Sequence, residues 1–239
     1  MRLDSYLVEN GFFESRNRAA AAIKDGLVSV DGRVVIKPSF NVAASVSVEV
    51  KESKFYVSRA AKKLEEYLKE FALPIEGARC LDIGSSTGGF TQILLENGAR
   101  SVDCVDVGRE QLHSSLRENS RVSVFEETDI RDFKALPYDL IVSDVSFISL
   151  LKIVDSVDSL SSESTTISLL FKPQFEVGLG VKRDSKGVVV DQGAIERARR
   201  DFEQKTKELG WRVVDNRASR VSGKEGNIEY FYTFKKVVA

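Results

Sequence analysis

The sequence predicts an α/β protein: a Rossmann-like domain whose mostly parallel sheet ends in an antiparallel edge hairpin, preceded by a small α+β module. Three observations carry this. From Ser58 onward, apolar strand-like runs alternate with helical segments, the pattern of a parallel sheet covered on both faces. The last two strand-like runs have no helix between them and so pair antiparallel. The chain before Ser58 follows a different order, two helices and then a hairpin. With 239 residues, 42% hydrophobic and 30% charged, and only 4 prolines, the composition is that of a folded chain of one or two domains. The expected layout is a module over residues 1–52, a linker over 53–57 and a larger domain over 58–239.

In the module, RLDSYLVENG puts Leu3, Leu7 and Val8 at helical spacing and stops at Gly11. Ser15 can cap a second helix, RNRAAAAIKDG, which is rich in the best helix former and ends at Gly26. VSVDGRVV then reads as two short strands around an Asp31-Gly32 turn, and SVSVEV as a third. In the larger domain, SRAAKKLEEYLKEF predicts an amphipathic helix with Leu64, Tyr67, Leu68 and Phe71 on one face. Strands are expected at RCLDI, SVDCVDV, VSVF, DLIVSDV and TISLLFK, and helices at GFTQILLENG, REQLHSSLREN and IERARRDFEQKTKELG. WRVVDNRAS and NIEYFYTFKK form the closing pair, with Trp211 and the IEYFYTF aromatics expected in the core.

Cys80 and Cys104 lie inside apolar runs, outside any Cys-x-x-Cys pair or His/Cys cluster, so neither a disulfide framework nor a metal site is expected. No stretch approaches the ~18 apolar residues of a membrane span. Asp4 and Glu9 interrupt what an export signal would keep apolar, so a cytoplasmic protein is expected. The net charge of −1 is uninformative, but its distribution is not: KESKFYVSRAAKK carries five Lys/Arg against one acid, and Arg16, Arg18 and Lys24 cluster upstream. A solvated face is the plainer reading of such a run; the alternative is nucleic-acid phosphate, with Arg2, Arg16, Arg18, Lys24, Arg59 and Lys62 as candidate contacts.

The stretch LDIGSSTGGFT follows an apolar strand and opens a helix, which brings backbone close to a ligand at a helix N-terminus. Asp106 ends the next strand, where a carboxylate meets the two hydroxyls of a ribose, and Asp129 follows the third, where it could accept from an adenine amino group. In the dinucleotide fingerprint G-x-G-x-x-G, Ser86 stands at the second glycine, the one that lets backbone approach a pyrophosphate. Asp82 suits a cationic methionyl group better than a phosphate. The expected cofactor is therefore S-adenosyl-L-methionine, held by Asp82, Gly84, Ser85, Ser86, Gly88, Gly89, Phe90, Asp106, Val107, Asp129, Ile130 and Asp144.

Four charged positions fall where a reaction should occur. Asp144 ends DLIVSD, Lys172 follows the apolar run TISLLF, Glu229 lies in NIEYFYTF, and Lys63 sits in the helix before the first strand. A lysine behind such a run is unusual unless it is paired or functional, because a desolvated ammonium is costly. Methyl transfer to a ribose hydroxyl needs a base held in line with the methyl donor. Lys172 is the candidate, with the acids orienting the lysines and the hydroxyl. Amino-nitrogen methylation commonly uses an Asn/Asp-Pro-Pro-aromatic turn after the fourth strand, where this chain has Ser143-Asp144-Val145-Ser146. Carbon-5 methylation needs a cysteine nucleophile in the site, and both cysteines lie in strands. Oxygen is the acceptor these loops favour.

These residues resemble a known family. Residues 1 to about 50 resemble an S4 RNA-binding domain, in which the second helix and the following turn contact RNA phosphates, and the remainder resembles an FtsJ-type ribose methyltransferase, in which a Lys-Asp-Lys-Glu set carries catalysis. The order SRAAKKL, LDIGSSTGGFT, DVGREQLH, SDVSFISL, KPQFEVG and GNIEYF is similar to the TlyA family of rRNA 2′-O-methyltransferases. The resemblance implies Lys63, Asp144, Lys172 and Glu229 as the catalytic set, and methylation of a cytidine ribose in 23S rRNA and, in some members, 16S rRNA. The short ends resemble the group acting on 23S rRNA only. Ala60-Ala61-Lys62 departs from the small glycines and apolar residue common in the family after Ser-Arg. Expected partners are ribosomal RNA or a ribosomal subunit, with no metal and no membrane, and the chain is expected to act as a monomer.

Three other readings are weighed against this one. A non-enzymatic RNA-binding assembly protein would not need the four intact charges. A nicotinamide-dependent oxidoreductase is disfavoured by Ser86 and by the lack of a suited catalytic histidine, His113 reading as a surface residue. The family also carries the name haemolysin, but no long amphipathic helix of the membrane type is present in the sequence. Phe90 and Phe147 are expected to border the cleft.

Overall fold

The computed structural model describes residues 1–13, 15–43, 46–51 and 54–236. They fall into two units, Met1–Phe55 and Tyr56–Ala239. Glu52 and Ser53, on which the expected domain boundary falls, and Ser45, the first residue of the expected strand SVSVEV, lie outside the described residues.

In the first unit, α1 (Leu3–Glu9) and α2 (Arg16–Lys24) pack on a three-stranded antiparallel sheet of β1 (Val28–Val30), β2 (Arg33–Val34) and β3 (Val48–Val50) in the order β2-β1-β3. Ser15 caps α2 by accepting from the Arg18 amide at 3.4 Å. Asp31 and Gly32 both take left-handed backbone, φ +49° and +75°, the pair that matches the twist of a two-residue hairpin. Leu3, Leu7, Ala19, Ala22, Ile23, Val28, Val30 and Val42 form its core.

The second unit runs α3 (Arg59–Glu70), β4 (Arg79–Ile83), α4 (Gly89–Glu96), β5 (Ser101–Val105), α5 (Ser114–Arg117), β6 (Val122–Phe125) and β7 (Tyr138–Ser143). A 3-10 turn at Leu150–Lys152 follows, then α6 (Val154–Ser159), β8 (Ser161–Phe171), α7 (Pro173–Glu176), α8 (Gln192–Glu208), β9 (Trp211–Ala218) and β10 (Tyr230–Lys236). The sheet order is β6-β5-β4-β7-β8-β10-β9, with β10 antiparallel to both neighbours and the other pairings parallel. One face is covered by an apolar cluster that includes Leu64, Tyr67, Phe90, Ile93 and Leu94 of α3 and α4, the other by one that includes Val154, Val157 and Phe202 of α6 and α8. Covering both faces is what buries a nearly continuous apolar run such as ISLLF in β8.

The sequence reading needs one amendment. REQLHSSLREN is helical only over Ser114–Arg117, because the Glu126 carboxylate accepts the backbone N–H groups of Glu110, Gln111 and Leu112 and diverts them from a helix. His113 caps this short helix, its ring accepting from the Ser115 amide. The closing strands form the expected antiparallel pair at the sheet edge, with β10 beside β8 and β9 outermost. Trp211, Phe231, Tyr232 and Phe234 are buried as expected.

Phe202 is fully buried, with its ring edge-on to Tyr232 at 5.3 Å and to Phe234 at 5.8 Å. Phe202→Ala should cost about 3–5 kcal/mol of stability, read as a shift of the denaturant midpoint with little change in slope. A change near zero would mean that α8 is not held to the sheet through this ring.

Candidate active site

The sheet order brings four chain segments to one place. β7 lies between β4 and β8, all three parallel, so the residues at and just past their ends gather at one edge of the sheet: Asp82 within the end of β4, and Gly84, Asp144 and Lys172 beyond the three strands. β10 runs back along β8 with Tyr230 opposite Phe171, which sets Glu229 beside Lys172. α3 supplies Lys63. Its start meets α4 closely because residue 89 is glycine: a Cβ there would stand 2.2 Å from Ser58 Oγ and 2.7 Å from the Ala61 nitrogen.

The four charges form one buried cluster. Lys172 Nζ is 2.7 Å from Asp144 Oδ1 and donates to Ser146 Oγ at 2.9 Å and to the Asp144 carbonyl at 3.2 Å. Lys63 Nζ is 2.7 Å from Glu229 Oε2 and 3.6 Å from Asp144 Oδ1. Lys63, Lys172 and Glu229 are 8%, 6% and 2% exposed, so none could hold its charge there alone. All four line a cavity of about 810 Å³ together with Ser58, Asp82 and Gln174.

A second cavity, about 410 Å³, adjoins the first: Gly84, Ser86, Asp144 and Phe147 line both. Asp106, Val107, Asp129 and Ile130 belong to it. Asp106 is fixed by the amides of Ser86 (2.8 Å) and Gly108 (2.7 Å). Asp129 holds Arg131 with both oxygens, at 3.0 and 2.6 Å, so an amino group arriving there must share a carboxylate already in use. Gly84 has φ +75°, and a Cβ would press to 3.0–3.1 Å on Val145; a side chain at this position would push apart the β4 and β7 ends. Ser85 is buried, Gly88 starts α4 in left-handed backbone, and Phe90 packs chiefly in the core while bordering the larger cavity. Phe147 stands 90% exposed at the lip, tilted against Phe175.

Asp82 is 1% exposed. Burial pushes its carboxyl up to about 7, against the hydroxyl and amide of Thr91, both donating to Oδ2; Asp144 and Asp106 push the same way as burial. Its Oδ1 has no hydrogen-bond partner among the described residues, and neither does Ser58 Oγ in the same cavity. An unmet buried acceptor of this kind fits a ligand carrying a cationic amine.

The candidate phosphate contacts divide between the units. In the first, Arg2 (3.0 and 2.7 Å) and Arg16 (3.3 Å) both donate to the buried Asp4, holding its carboxyl well below the usual range, Arg18 lies over the Phe55 ring, and Lys24 is exposed. In the second, Arg59 lines the larger cavity and donates to the Ser222 carbonyl, while Lys62 lies over Tyr56. Sequence reasoning missed Asp4, Ser58, Gln174 and Glu126. Only Ser58 carried a sequence signal, as the residue before the α3 pattern.

Comparison with known proteins identifies the family of each unit. The FtsJ-like methyltransferase family model matches residues 56–236 and the S4 domain model residues 1–48. A Campylobacter jejuni protein named 23S rRNA (cytidine-2′-O)-methyltransferase TlyA is 51% identical over 77% of the chain and 72% of its own length. A Mycobacterium tuberculosis protein named 16S/23S rRNA (cytidine-2′-O)-methyltransferase TlyA is 41% identical over 96% and 88%. A solved Streptococcus thermophilus structure described as a hemolysin superposes with a TM-score of 0.74 and 33% identity, covering 100% of the chain and 89% of that one.

Glu126 organises the loop along the smaller cavity. Desolvation raises its carboxyl, but the amides of Glu110 and Leu112, the Arg117 guanidinium and the Gln111 amide outweigh it and hold it at about 2. A depressed carboxylate contributes stability above its ordinary range and loses it as pH falls through the folded value. Protection factors against amide hydrogen exchange at Glu110–Leu112 should therefore be high at neutral pH in the wild type, decline as pH falls toward about 2, and be low already at neutral pH in Glu126→Gln. Unaltered protection in the variant would assign the order of this loop to another contact.

Proposed function

The chain belongs to the TlyA family of FtsJ-like methyltransferases, and on that premise we propose that it transfers a methyl group from S-adenosyl-L-methionine to the 2′-hydroxyl of a cytidine in 23S rRNA. The observation that carries the reading is the convergence of Lys63, Asp144, Lys172 and Glu229 in one buried cavity beside a cleft that ends on Asp106.

The cofactor fits the residues present. Asp106 would take the ribose hydroxyls, the Val107, Asp129 and Ile130 wall the adenine, and Asp82, Ser85, Ser86 and the Gly84–Phe90 loop the methionyl end. The unmet Oδ1 of Asp82 supports this, because an ammonium group there would favour the ionised carboxylate that burial disfavours. When bound, the cofactor supplies a methyl group on a cationic sulfur.

The chain supplies the rest. A ribose hydroxyl is a poor nucleophile until its proton is accepted as the oxygen–carbon bond forms. In its neutral amine form Lys172 Nζ accepts that proton, becoming the ammonium that Asp144 and Ser146 hold. Asp144 and Ser146 aim the amine, and Glu229 holds Lys63 against the same carboxylate, so each lysine is kept in register by an acid. The 23S assignment follows the name of the Campylobacter jejuni relative, with 16S rRNA the further candidate from the mycobacterial name. Arg2, Arg16, Arg18 and Lys24, in the unit that the S4 model matches, bind RNA phosphate.

Two experiments test this reading. Lys172→Ala should bind cofactor and RNA yet lose about 10²- to 10⁴-fold in single-turnover methyl transfer, and Lys172→Arg should be nearly as slow, because a guanidinium keeps the charge but does not deprotonate near neutral pH. An arginine variant within a few-fold of wild type would reduce Lys172 to a positioning charge. Separately, Arg18→Ala combined with Lys24→Ala should flatten the slope of log affinity for ribosomal RNA against log salt by roughly 1–2; an unchanged slope would remove these two residues from the interface.

A further inference from the structure

We propose that Gln174 reads the 4-position of the acceptor base and thereby favours cytidine over uridine, an inference that rests on the reading of the site given above. Gln174 lies in α7, two residues past Lys172, and its side chain lines the cavity that holds the four charges. Its Nε2 donates to Glu229 Oε1 at 3.3 Å. Glu229 is itself confined: its other oxygen pairs with Lys63 at 2.7 Å, and residue 223 opposite Oε1 is a glycine whose added Cβ would lie only 2.7 Å away. The Gln174 main chain is confined as well, since Pro173 opens α7 and the Gln174 carbonyl accepts from the Arg183 guanidinium at 3.3 Å.

This arrangement decides which end of the amide is offered. An ionised carboxylate only accepts, so the NH₂ group must face Glu229 and the carbonyl oxygen must face elsewhere. That oxygen is buried and has no hydrogen-bond partner among the described residues. A buried acceptor left unmet is disfavoured unless a donor arrives with a ligand. The cofactor's donors would face Asp82, Asp106 and Asp129, and the acceptor nucleotide brings few: its phosphates only accept, and its 2′-hydroxyl proton is committed to Lys172. The base remains. Cytosine carries an amino donor at position 4, where uracil, nearly the same shape, carries an acceptor oxygen. A fixed carbonyl facing that position gains a hydrogen bond with cytidine and meets a second acceptor with uridine. Gln174 is then both a positioning residue, through its NH₂ on Glu229, and a specificity residue, through its oxygen.

The two roles separate by substitution. Large ribosomal subunits isolated with either cytidine or uridine at the methylated position are given to the full-length protein with methyl-labelled cofactor. The wild type should prefer cytidine. Gln174→Leu, which removes both the donor and the acceptor, should slow transfer to cytidine and cut the cytidine-to-uridine ratio by on the order of tenfold. Gln174→Glu keeps an acceptor oxygen but sets a second carboxylate against Glu229, so it should be slow on both substrates with the ratio preserved. Cofactor binding by calorimetry, retained in both variants, reports that the domain is folded. A leucine variant slowed equally on the two substrates would leave Gln174 with the positioning role only and overturn the proposal, as would a wild type that methylates both equally. A wild type that methylates neither subunit would instead remove the proposed function, and this inference with it.

Discussion

Two lysines and two carboxylates are buried against one another, and most of the larger unit can be understood as what is needed to allow that. A single charge at 2–8% exposure, as Lys63, Lys172 and Glu229 are, would be strongly disfavoured without a partner. Together they satisfy one another, but only because four distant segments meet. Lys172 and Asp144 follow adjacent parallel strands, Glu229 precedes the strand that returns antiparallel along β8, and Lys63 comes from a helix that precedes the whole sheet. Inserting β10 between β8 and β9 is therefore more than a variation on a parallel sheet. Were β10 at the outer edge, with β9 beside β8, Glu229 would stand one strand further from the lysines. Removing one member of such a set strands its partner, so the cluster resists piecemeal change.

The same geometry shows why parts of the molecule were legible in the sequence and parts were not. Strands such as RCLDI and DLIVS, and the helix of Leu64 and Tyr67, announce themselves because burial imposes a period on apolar residues. Asp144, Lys172 and Glu229 were legible because each interrupts or terminates such a run, whereas Lys63, in a helix already rich in charge, was reached through the family resemblance. The Asp31-Gly32 turn was legible because few residue pairs adopt left-handed backbone twice in succession. By contrast, the segment Arg109–His113 has a helical pattern that loses to a single carboxylate, Glu126, thirteen or more residues on. No periodicity reports a contact of that kind.

The walls of the larger cavity were illegible for a related reason. The segment from Gly178 to Val190 is held by polar staples: Arg183 donates to the carbonyls of Leu179, Val181 and Gln174, and Asn227 accepts from the Val189 amide. Gln174 looks unremarkable in KPQFEVG, and its part in the site depends on which of its amide ends Glu229 occupies. Such details follow from donor and acceptor bookkeeping in three dimensions, not from residue type along a line.

Asp4 of the smaller unit shows how a nearly neutral chain can still present cationic surface. The carboxylate is 4% exposed, yet Arg2 and Arg16, which it anchors, keep side-chain exposures of 49% and 59%. On paper the acid cancels one of the two positive charges. In space it lies beneath them and restrains them, so that each guanidinium would lose less conformational freedom on meeting a phosphate. A planar guanidinium can serve two acceptors at once because its five donors point along fixed directions, whereas a lysine held by the same carboxylate would offer a single compact charge. Residual cationic surface, and not net charge, is then the quantity that bears on RNA, and a net charge of −1 does not weigh against it.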